Sequence, residues 1–431
     1  MPQIIPFRGY RYNQSSVAME DVIAPPYDVI SPEQQTRLYD RSPYNVVRLI
    51  LGREADRYSS AAKFFEDWQK DHILVREEKP ALYVLHQSFE DQTGSLTTRK
   101  GFIALCRLED FEKNVVLPHE KTLAKPREDR FALFKATRSN FSQVFSLYWD
   151  PENEVDEHLN GFAKSNPEID VTFENVQNRM WMLQETGIIR KVQQFLSDKQ
   201  VLIADGHHRY ETALAYRDFV KARNPKVPGN DLSNYVMMYF TNIEDRGLVI
   251  YPTHRIVHSL PNFDGAKFLE EVGRFFIVRE FKDRDSLQTG LQSSAVRSFG
   301  VVIQGDPKFY LLTLKPTSQA GEVVADSMPD EVKELDVTLL HTVILRDLLG
   351  ISAQAQEQKL NLEYSKSVEE SVESVRSGKG QISFLMNPTK IEEVRRVAKA
   401  GLTMPQKSTF FFPKLLSGLV INKMADEKKL P

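Results

Sequence analysis

Apolar residues in the first half of the chain follow two rhythms. Between Ala55 and Asp71, the residues Ala61, Phe64, Phe65 and Trp68 stand at i, i+3, i+4 and i+7, which is one buried face of a helix. The runs Ala81–Leu85 and Gly101–Cys106 are short, continuous and joined by a polar Gly-containing stretch, so they predict a hairpin. From about Trp181 to Leu196, the spacing of Ile188, Ile189, Val192 and Phe195 predicts a helix. Val201–Ala204 then reads as an apolar strand, and Tyr210, Ala213 and Leu214 return to helical spacing. The polar box Asp205-Gly206-His207-His208-Arg209 therefore sits at a strand-to-helix turn. A further strand is expected at Tyr235–Phe240.

Breaker residues divide the rest. Ala24–Ser31 contains Pro25-Pro26 before Tyr27-Asp28; two prolines fix φ and push their neighbours towards extended geometry, giving a rigid strap. Ser31-Pro32-Glu33 has the form of an N-cap with proline at the first helical position. Leu117–Gln143 is densely charged with little periodicity and reads as a solvated loop or a binding loop. Beyond Arg255 the texture becomes αβ alternation, with strands near Gly300–Gln304 and Phe309–Leu314 and helices over Phe268–Phe276, Asp336–Leu349 and Val368–Ser377. The domains expected are 1–255 and 256–431, and the polar tail from Lys423 is expected to fray.

Composition narrows the classes. With 41% hydrophobic and 27% charged residues in 431 positions, the chain has the make-up of a globular protein of two or three domains. Its formal charge of −3 gives no global basic field for nucleic acid. The single cysteine, Cys106, excludes an intramolecular disulfide and CxxC zinc spacings, and points to a reducing cytoplasm. The opening MPQIIPFRGYRYN has no long apolar stretch, and no run of about 18 apolar residues follows, so neither secretion nor a membrane span is expected.

The candidate chemistry gathers around the polar box. A glycine turn opening a helix presents unpaired N–H groups and the positive end of the helix dipole. Gly206 lets backbone approach a ligand closely. Arg209 can fork onto a phosphate, His207 and His208 can donate or move a proton, and Asp205 can hold Mg²⁺ or orient a hydroxyl. Asp28, behind its two prolines, is either preorganised for chemistry or a cap for the helix at Pro32. Pro118–Arg130 offers His119, Glu120, Lys125, Glu128 and Arg130, a set suited to a loop over a zwitterionic or phosphorylated ligand. Lys407-Ser408-Thr409, with Lys414 beyond, is phosphate-friendly, although GxxxxGK occurs nowhere in the chain.

These blocks carry a resemblance. APPYDVIS (Ala24–Ser31), PHEKT with the following EDR (Pro118–Arg130), ATRSNFS (Ala136–Ser142), ADGHHRYETAL (Ala204–Leu214) and MPQKSTFFFPK (Met404–Lys414) are similar, over nearly the full length, to the domain of unknown function 1015 family. VLIADGHHRYETA resembles the phosphate-binding box of the ParB/sulfiredoxin-like superfamily. The fold class this implies is α+β, with a ParB/sulfiredoxin-like N-terminal core carrying large insertions and a C-terminal α/β region packing back on the site. Sulfiredoxins need cysteine directly after the glycine, where this chain has His207. ParB proteins add a DNA-reading helix-turn-helix, for which no basic recognition helix is found.

The remaining branch, the free-serine kinases, has the box Asp-Gly-His-x-Arg, as Asp205–Arg209 reads. The resemblance implies a kinase that uses ATP or ADP with Mg²⁺ to phosphorylate L-serine or a similar hydroxylated metabolite. Gly206, His207, Arg209, Lys407, Ser408, Thr409 and Lys414 would bind nucleotide. Asp205, which would also hold the metal, and His208 would serve catalysis, with Glu120 or Asp28 as base. His119, Thr122, Lys125 and Arg130 would bind substrate. A ParB-like nucleotide switch and a phosphatase using the same anion site are the alternatives, and donor, acceptor and oligomeric state stay open.

Overall fold

The computed structural model describes residues 2–120, 124–316 and 328–424, with backbone alone for 124–126. The chain forms two compact units. Unit 1 comprises Met1–Pro118, Thr122–Val249 and Pro413–Pro431; unit 2 comprises His119–Lys121 and Ile250–Phe412. A single cut at 255 therefore misses two excursions, because a segment after 412 belongs to unit 1 and three residues near 120 belong to unit 2.

Unit 1 is built on a nine-stranded mixed sheet of β1 (Ile4–Ile5), β2 (Leu82–Glu90), β3 (Leu96–Arg107), β4 (Val116–Leu117), β5 (Val144–Tyr148), β6 (Ile169–Phe173), β7 (Val176–Leu183), β8 (Val201–Asp205) and β9 (Tyr235–Asn242). The order is β4-β8-β5-β9-β3-β2-β7-β6, with β1 added to β3. The β2–β3 hairpin is present, with Tyr83 opposite Ile103. The β5 and β9 strands are buried along their whole length, which matches continuous apolar runs better than alternation.

The helices of unit 1 include α1 (Pro32–Arg41), α2 (Arg57–Lys70), α3 (Ala124–Thr137), α4 (Thr186–Leu196) and α5 (His207–Arg223). Ser31 caps α1, accepting from the Gln34 N–H at 3.1 Å. Against α4, the sheet buries Val84, Phe102, Ala104 and Cys106 beside Ile189, Val192 and Leu196.

Two expectations change here. Trp181 lies in β7, not in a helix: Val176–Leu183 pairs with strands on both sides, and helical spacing begins only at Ile188. The charged segment after Leu117 is largely α3 and not a loop. Its apolar residues are confined to the second half, where Phe134 packs edge-on against Tyr216 at 4.6 Å and Phe131 against Phe219 at 5.8 Å, so tertiary contacts with α5 supply what periodicity lacked.

Unit 2 has a six-stranded sheet of β10 (His254–Val257), β11 (Phe276–Phe281), β12 (Ser298–Ile303), β13 (Phe309–Leu314), β14 (Leu362–Ser365) and β15 (Ile382–Leu385), ordered β11-β13-β12-β15-β10-β14. Every pairing is antiparallel. Unit 2 is thus α+β and not α/β: the alternation with α6 (Gly265–Val272), α7 (Arg284–Gln292), α8 (Val368–Arg376) and α9 (Ile391–Lys399) does not produce parallel crossovers, because β10 sits between two later strands running against it. The helix expected over Asp336–Leu349 is one α-turn followed by a π-helix, Leu340–Leu348. The fraying expected of the tail falls mainly on 425–431, outside the described residues, while Asn422–Lys423 pairs with Ser139–Asn140.

Cys106 is fully buried in β3 and burial pushes its thiol up to about 12, the behaviour of a packing residue. Cys106→Ala is expected to cost about 1–2 kcal/mol in urea unfolding, and the wild-type thiol to resist a disulfide reagent until the protein unfolds. Rapid labelling of the folded protein contradicts this placement.

Candidate functional site

Backbone geometry shapes the turn between β8 and α5. Gly206 has φ +92° and ψ 29°, the left-handed region that favours glycine. A Cβ there would lie 2.9 Å from Arg209 Cζ, so the glycine also makes room for the guanidinium to fold back over the turn. No side chain caps α5, which leaves the positive end of the helix facing this spot. The register of β8 against β5 shifts between Ile203 and Asp205, and such an irregularity re-aims a side chain; here it falls on Asp205.

The Asp205 carboxylate is shared by two cations. Arg209 donates to Oδ2 at 3.0 Å, and Lys414 Nζ lies 3.3 Å from Oδ1. Arg209 also donates to the Gln143 carbonyl. Lys414 is fixed from behind, since its carbonyl accepts from Gln87 Nε2 at 3.2 Å and the Pro413 carbonyl accepts from Arg99 at 2.6 Å. Arg99 is fully buried, bonds Gln87 Oε1, and lies 4.4 Å over the Phe145 ring. Burial lowers its pKa, but a guanidinium keeps its proton in proteins, so the charge is held by carbonyls and ring faces.

Beside the turn is a cavity of about 50 Å³, lined on its apolar side by Ile50, Leu133, Phe134, Phe141 and Val236 and on its polar side by Tyr27, Arg130, Ser139, Asn140, Ser142, Arg209 and Thr212. Arg130 stacks 3.9 Å over Tyr27 and donates to the Ile50 carbonyl at 2.7 Å. Asp129 holds Arg130 at 2.8 Å through Nε and bonds Arg57 and Tyr58 as well. Burial pulls the Asp129 carboxyl upward, yet Arg130, Tyr58 and Arg57 outweigh it and leave the group below its usual range. Burial, with Asp28 adding to it, pushes the Tyr27 hydroxyl up to about 12, so it remains a donor at neutral pH. The Thr212 hydroxyl is buried and has no hydrogen-bond partner. Two guanidiniums therefore reach one small cavity, and a guanidinium is a charge-assisted donor to an anion.

Other expected residues are placed as follows. Asp28 is exposed in a 3-10 turn, Tyr27–Val29; Ser31 and not Asp28 caps α1, because only its hydroxyl reaches the Gln34 N–H. His207 is buried and His208 partly so, both in the first turn of α5. Thr122 lies outside the described residues, and Lys125 is described in its backbone only, within α3. In unit 2, His119 is buried, with Nε2 3.0 Å from Thr409 Oγ1. Glu120 Oε1 accepts from the Lys407 N–H at 3.0 Å, Arg255 donates to the Lys407 carbonyl at 3.0 Å, and the Ser408 hydroxyl donates to the Pro405 carbonyl at 2.5 Å. The hydroxyls of Ser408 and Thr409 thus serve local hydrogen bonds.

In this arrangement each oxygen of Asp205 faces a cation, and among the described residues no group of three His, Cys, Asp or Glu is placed to hold a metal by itself.

Sequence reasoning missed Arg99, Tyr27, Asp129, Gln143 and Thr212. Tyr27 and Ser139–Ser142 stood inside blocks already singled out, so their proximity was detectable; Arg99 gave no signal, being one arginine in a polar half-strand.

Unit 1 is therefore a mixed α+β unit with a small cavity, two of whose lining residues are arginines, beside a strand, glycine and helix turn. The chain belongs to the family described as Protein of unknown function (DUF1015), whose match spans residues 4–338. Among curated proteins none matches the chain. Three solved structures are distantly similar, each with a TM-score of 0.35. A conserved hypothetical protein from Pyrococcus furiosus is 12% identical, over 72% of this chain and 93% of its own. A free serine kinase in complex with AMP is 12% identical, over 69% and 83%. SbnI with C-terminal truncation, from Staphylococcus aureus, is 10% identical, over 73% and 85%. Likeness at this level does not bear on the activity of this chain. Among the described residues no helix is long and apolar enough to cross a membrane.

Gly206→Ala is expected to preserve the fold and weaken phosphate binding, because the new Cβ displaces the Arg209 guanidinium. Arg99→Met should cost about 1–3 kcal/mol for each of the carbonyls it leaves unmatched, at Pro413 and Gln87, and expose 413–424 to limited proteolysis. A variant at 99 as stable and protease-resistant as wild type contradicts its assigned role.

Proposed function

We propose that the protein is a nucleotide-dependent phosphotransferase acting on the hydroxyl of a small metabolite, with L-serine the first candidate and ATP or ADP the donor. The observation that carries this reading is the unit 1 cavity, where Arg209 and Arg130 meet the unpartnered Thr212 hydroxyl at the strand-to-helix turn. The serine acceptor rests on the likeness of Asp205–Arg209 to the box of free-serine kinases and on membership of the ParB/sulfiredoxin-like superfamily that this box suggests.

Phosphoryl transfer asks mainly for positioning and charge neutralisation. Arg209 and Arg130 neutralise the transferring phosphoryl group, while Asp205 and Asp129 hold the two guanidiniums in place. Lys414 adds positive charge on the far side of Asp205. The acceptor oxygen bonds to phosphorus, the bond from phosphorus to the leaving nucleotide oxygen breaks, and the acceptor proton passes to a carboxylate. Asp28 is preferred as that base because it neighbours Tyr27, which lines the cavity, whereas Glu120 accepts from the Lys407 N–H. His207 and His208 contribute donors to the nucleotide, and no step runs through a metal held by Asp205.

A phosphorus NMR time course with ATP or ADP, with and without L-serine and other hydroxylated metabolites, and with Mg²⁺ varied, tests the proposal. Nucleotide should be consumed only with acceptor present, yielding a phosphomonoester. Acceptor-independent release of inorganic phosphate would instead indicate a hydrolase or switch. Arg209→Ala should weaken nucleotide binding by about tenfold or more, whereas Asp28→Asn should lower kcat by about 10²-fold with KM for nucleotide little changed.

A further inference from the structure

Beyond β5 the chain of unit 1 enters the helix Glu154–Phe162 through a buried carboxylate. Asp150 is almost fully buried, and its Oδ2 accepts from the Val155 N–H at 2.9 Å, which satisfies one of the donors that a helix start leaves open. The turn after β9 holds the same residue. The Asp150 N–H donates to Asn242 Oδ1 at 3.1 Å, and Asn242 Nδ2 donates to the Asp150 carbonyl at 2.7 Å and to Asn153 Oδ1 at 3.1 Å. Further along that turn, Asp245 accepts from the Gly247 N–H at 2.7 Å and from the Lys100 backbone N–H. Gly247 has no room for a Cβ against the Thr98 and Arg99 backbone, so the turn lies directly on β3. Three segments therefore meet at the start of one helix, whose Val155 and Leu159 are buried in the unit 1 core.

The charges at this junction do not balance. Asp156, in the first turn of the helix, is partly buried and makes no hydrogen bond or ion pair among the described residues. Asp245 from the turn and Asp150 from the end of β5 face it, and Lys100 of β3 is the one opposing cation that acts on it. The buried Tyr148 hydroxyl also lacks a partner and feels the charge of all three carboxylates. Glu154 and His158 line a groove on another side of the helix, with Lys191 of α4 and Asp198 beyond it, and Glu157 is exposed. A helix N-terminus favours negative charge, but burial outweighs it here. Burial first, with Asp245 and Asp150 adding to it and Lys100 opposing, pushes the Asp156 carboxyl up to about 6. A carboxyl raised in the folded state contributes stability that is full below its ordinary range and is lost as pH rises through about 6.

We propose that the start of the helix Glu154–Phe162 is a proton-controlled latch, seated on the end of β5 and the β9 turn when Asp156 is protonated and loosened by Asp245 and Asp150 when it is ionised. The latch needs no ligand and does not rest on phosphate transfer. Hydrogen exchange on the full chain at pH 5, 6 and 7.5, expressed as protection relative to the free peptide so that the intrinsic pH dependence cancels, tests it. Protection of residues 154–162 should fall about tenfold between pH 5 and 7.5. Asp156→Asn, which keeps the side chain's shape and removes its charge, should abolish the fall and protect the segment at pH 7.5 at least tenfold more than wild type. Lys100→Gln leaves Asp156 in place without its cation and should deepen the fall. His158→Gln should preserve it, because that imidazole lies in the groove. No fall in wild type, the same fall in Asp156→Asn, a shallower one in Lys100→Gln, or its disappearance in His158→Gln would each overturn the latch.

Discussion

The carboxylate of Asp205, held between Arg209 and Lys414, is the contact on which the strand-to-helix turn depends. A partly buried ion cluster gains most from its pairing when its geometry is fixed, because desolvation offsets part of the attraction. Here the backbone supplies the fixing. The β8 irregularity sets Asp205, the left-handed Gly206 lets Arg209 fold back, and Arg99 clamps the carbonyl next to Lys414. Weakening any one support leaves a buried charge with a poorer partner.

The cavity beside this cluster uses a second carboxylate in the same manner. Asp129 holds Arg130 as Asp205 holds Arg209, so both guanidiniums are fixed in orientation before anything enters the cavity. This also explains why the loop reading of the segment after Leu117 fails: Arg130 has to be rigid to stack on Tyr27, and a helix packed on α5 makes it so.

Much of unit 1 was legible because its signals are local. The apolar run of β8, the glycine, and the helical spacing from Tyr210 lie within about a dozen positions, and the proline strap and its Ser31 cap are equally compact. The partners of these elements were not legible in the same way. Nothing near Lys414 says that it meets Asp205, and Arg99 reaches Pro413 only through tertiary packing. The antiparallel order of unit 2 was hidden for a related reason, since alternation of strands and helices does not record which strand is inserted between which. The Lys407-Ser408-Thr409 block shows the limit of residue type as a guide: its hydroxyls had the right chemistry and are occupied by the Pro405 carbonyl and His119.

Unit 2 interrupts unit 1, and its two ends are tied together, since Val249–Tyr251 and Phe410–Phe412 form a two-stranded sheet. During synthesis, the ribosome therefore releases β8, Gly206 and α5 long before it releases Lys414. Until then Asp205 has only one of its cations and Arg99 lacks the Pro413 carbonyl. Contacts so far apart in sequence form late and slowly. The nascent chain thus carries an unfinished Asp205 cluster throughout the making of the inserted unit, and the cluster closes only when the return segment has docked.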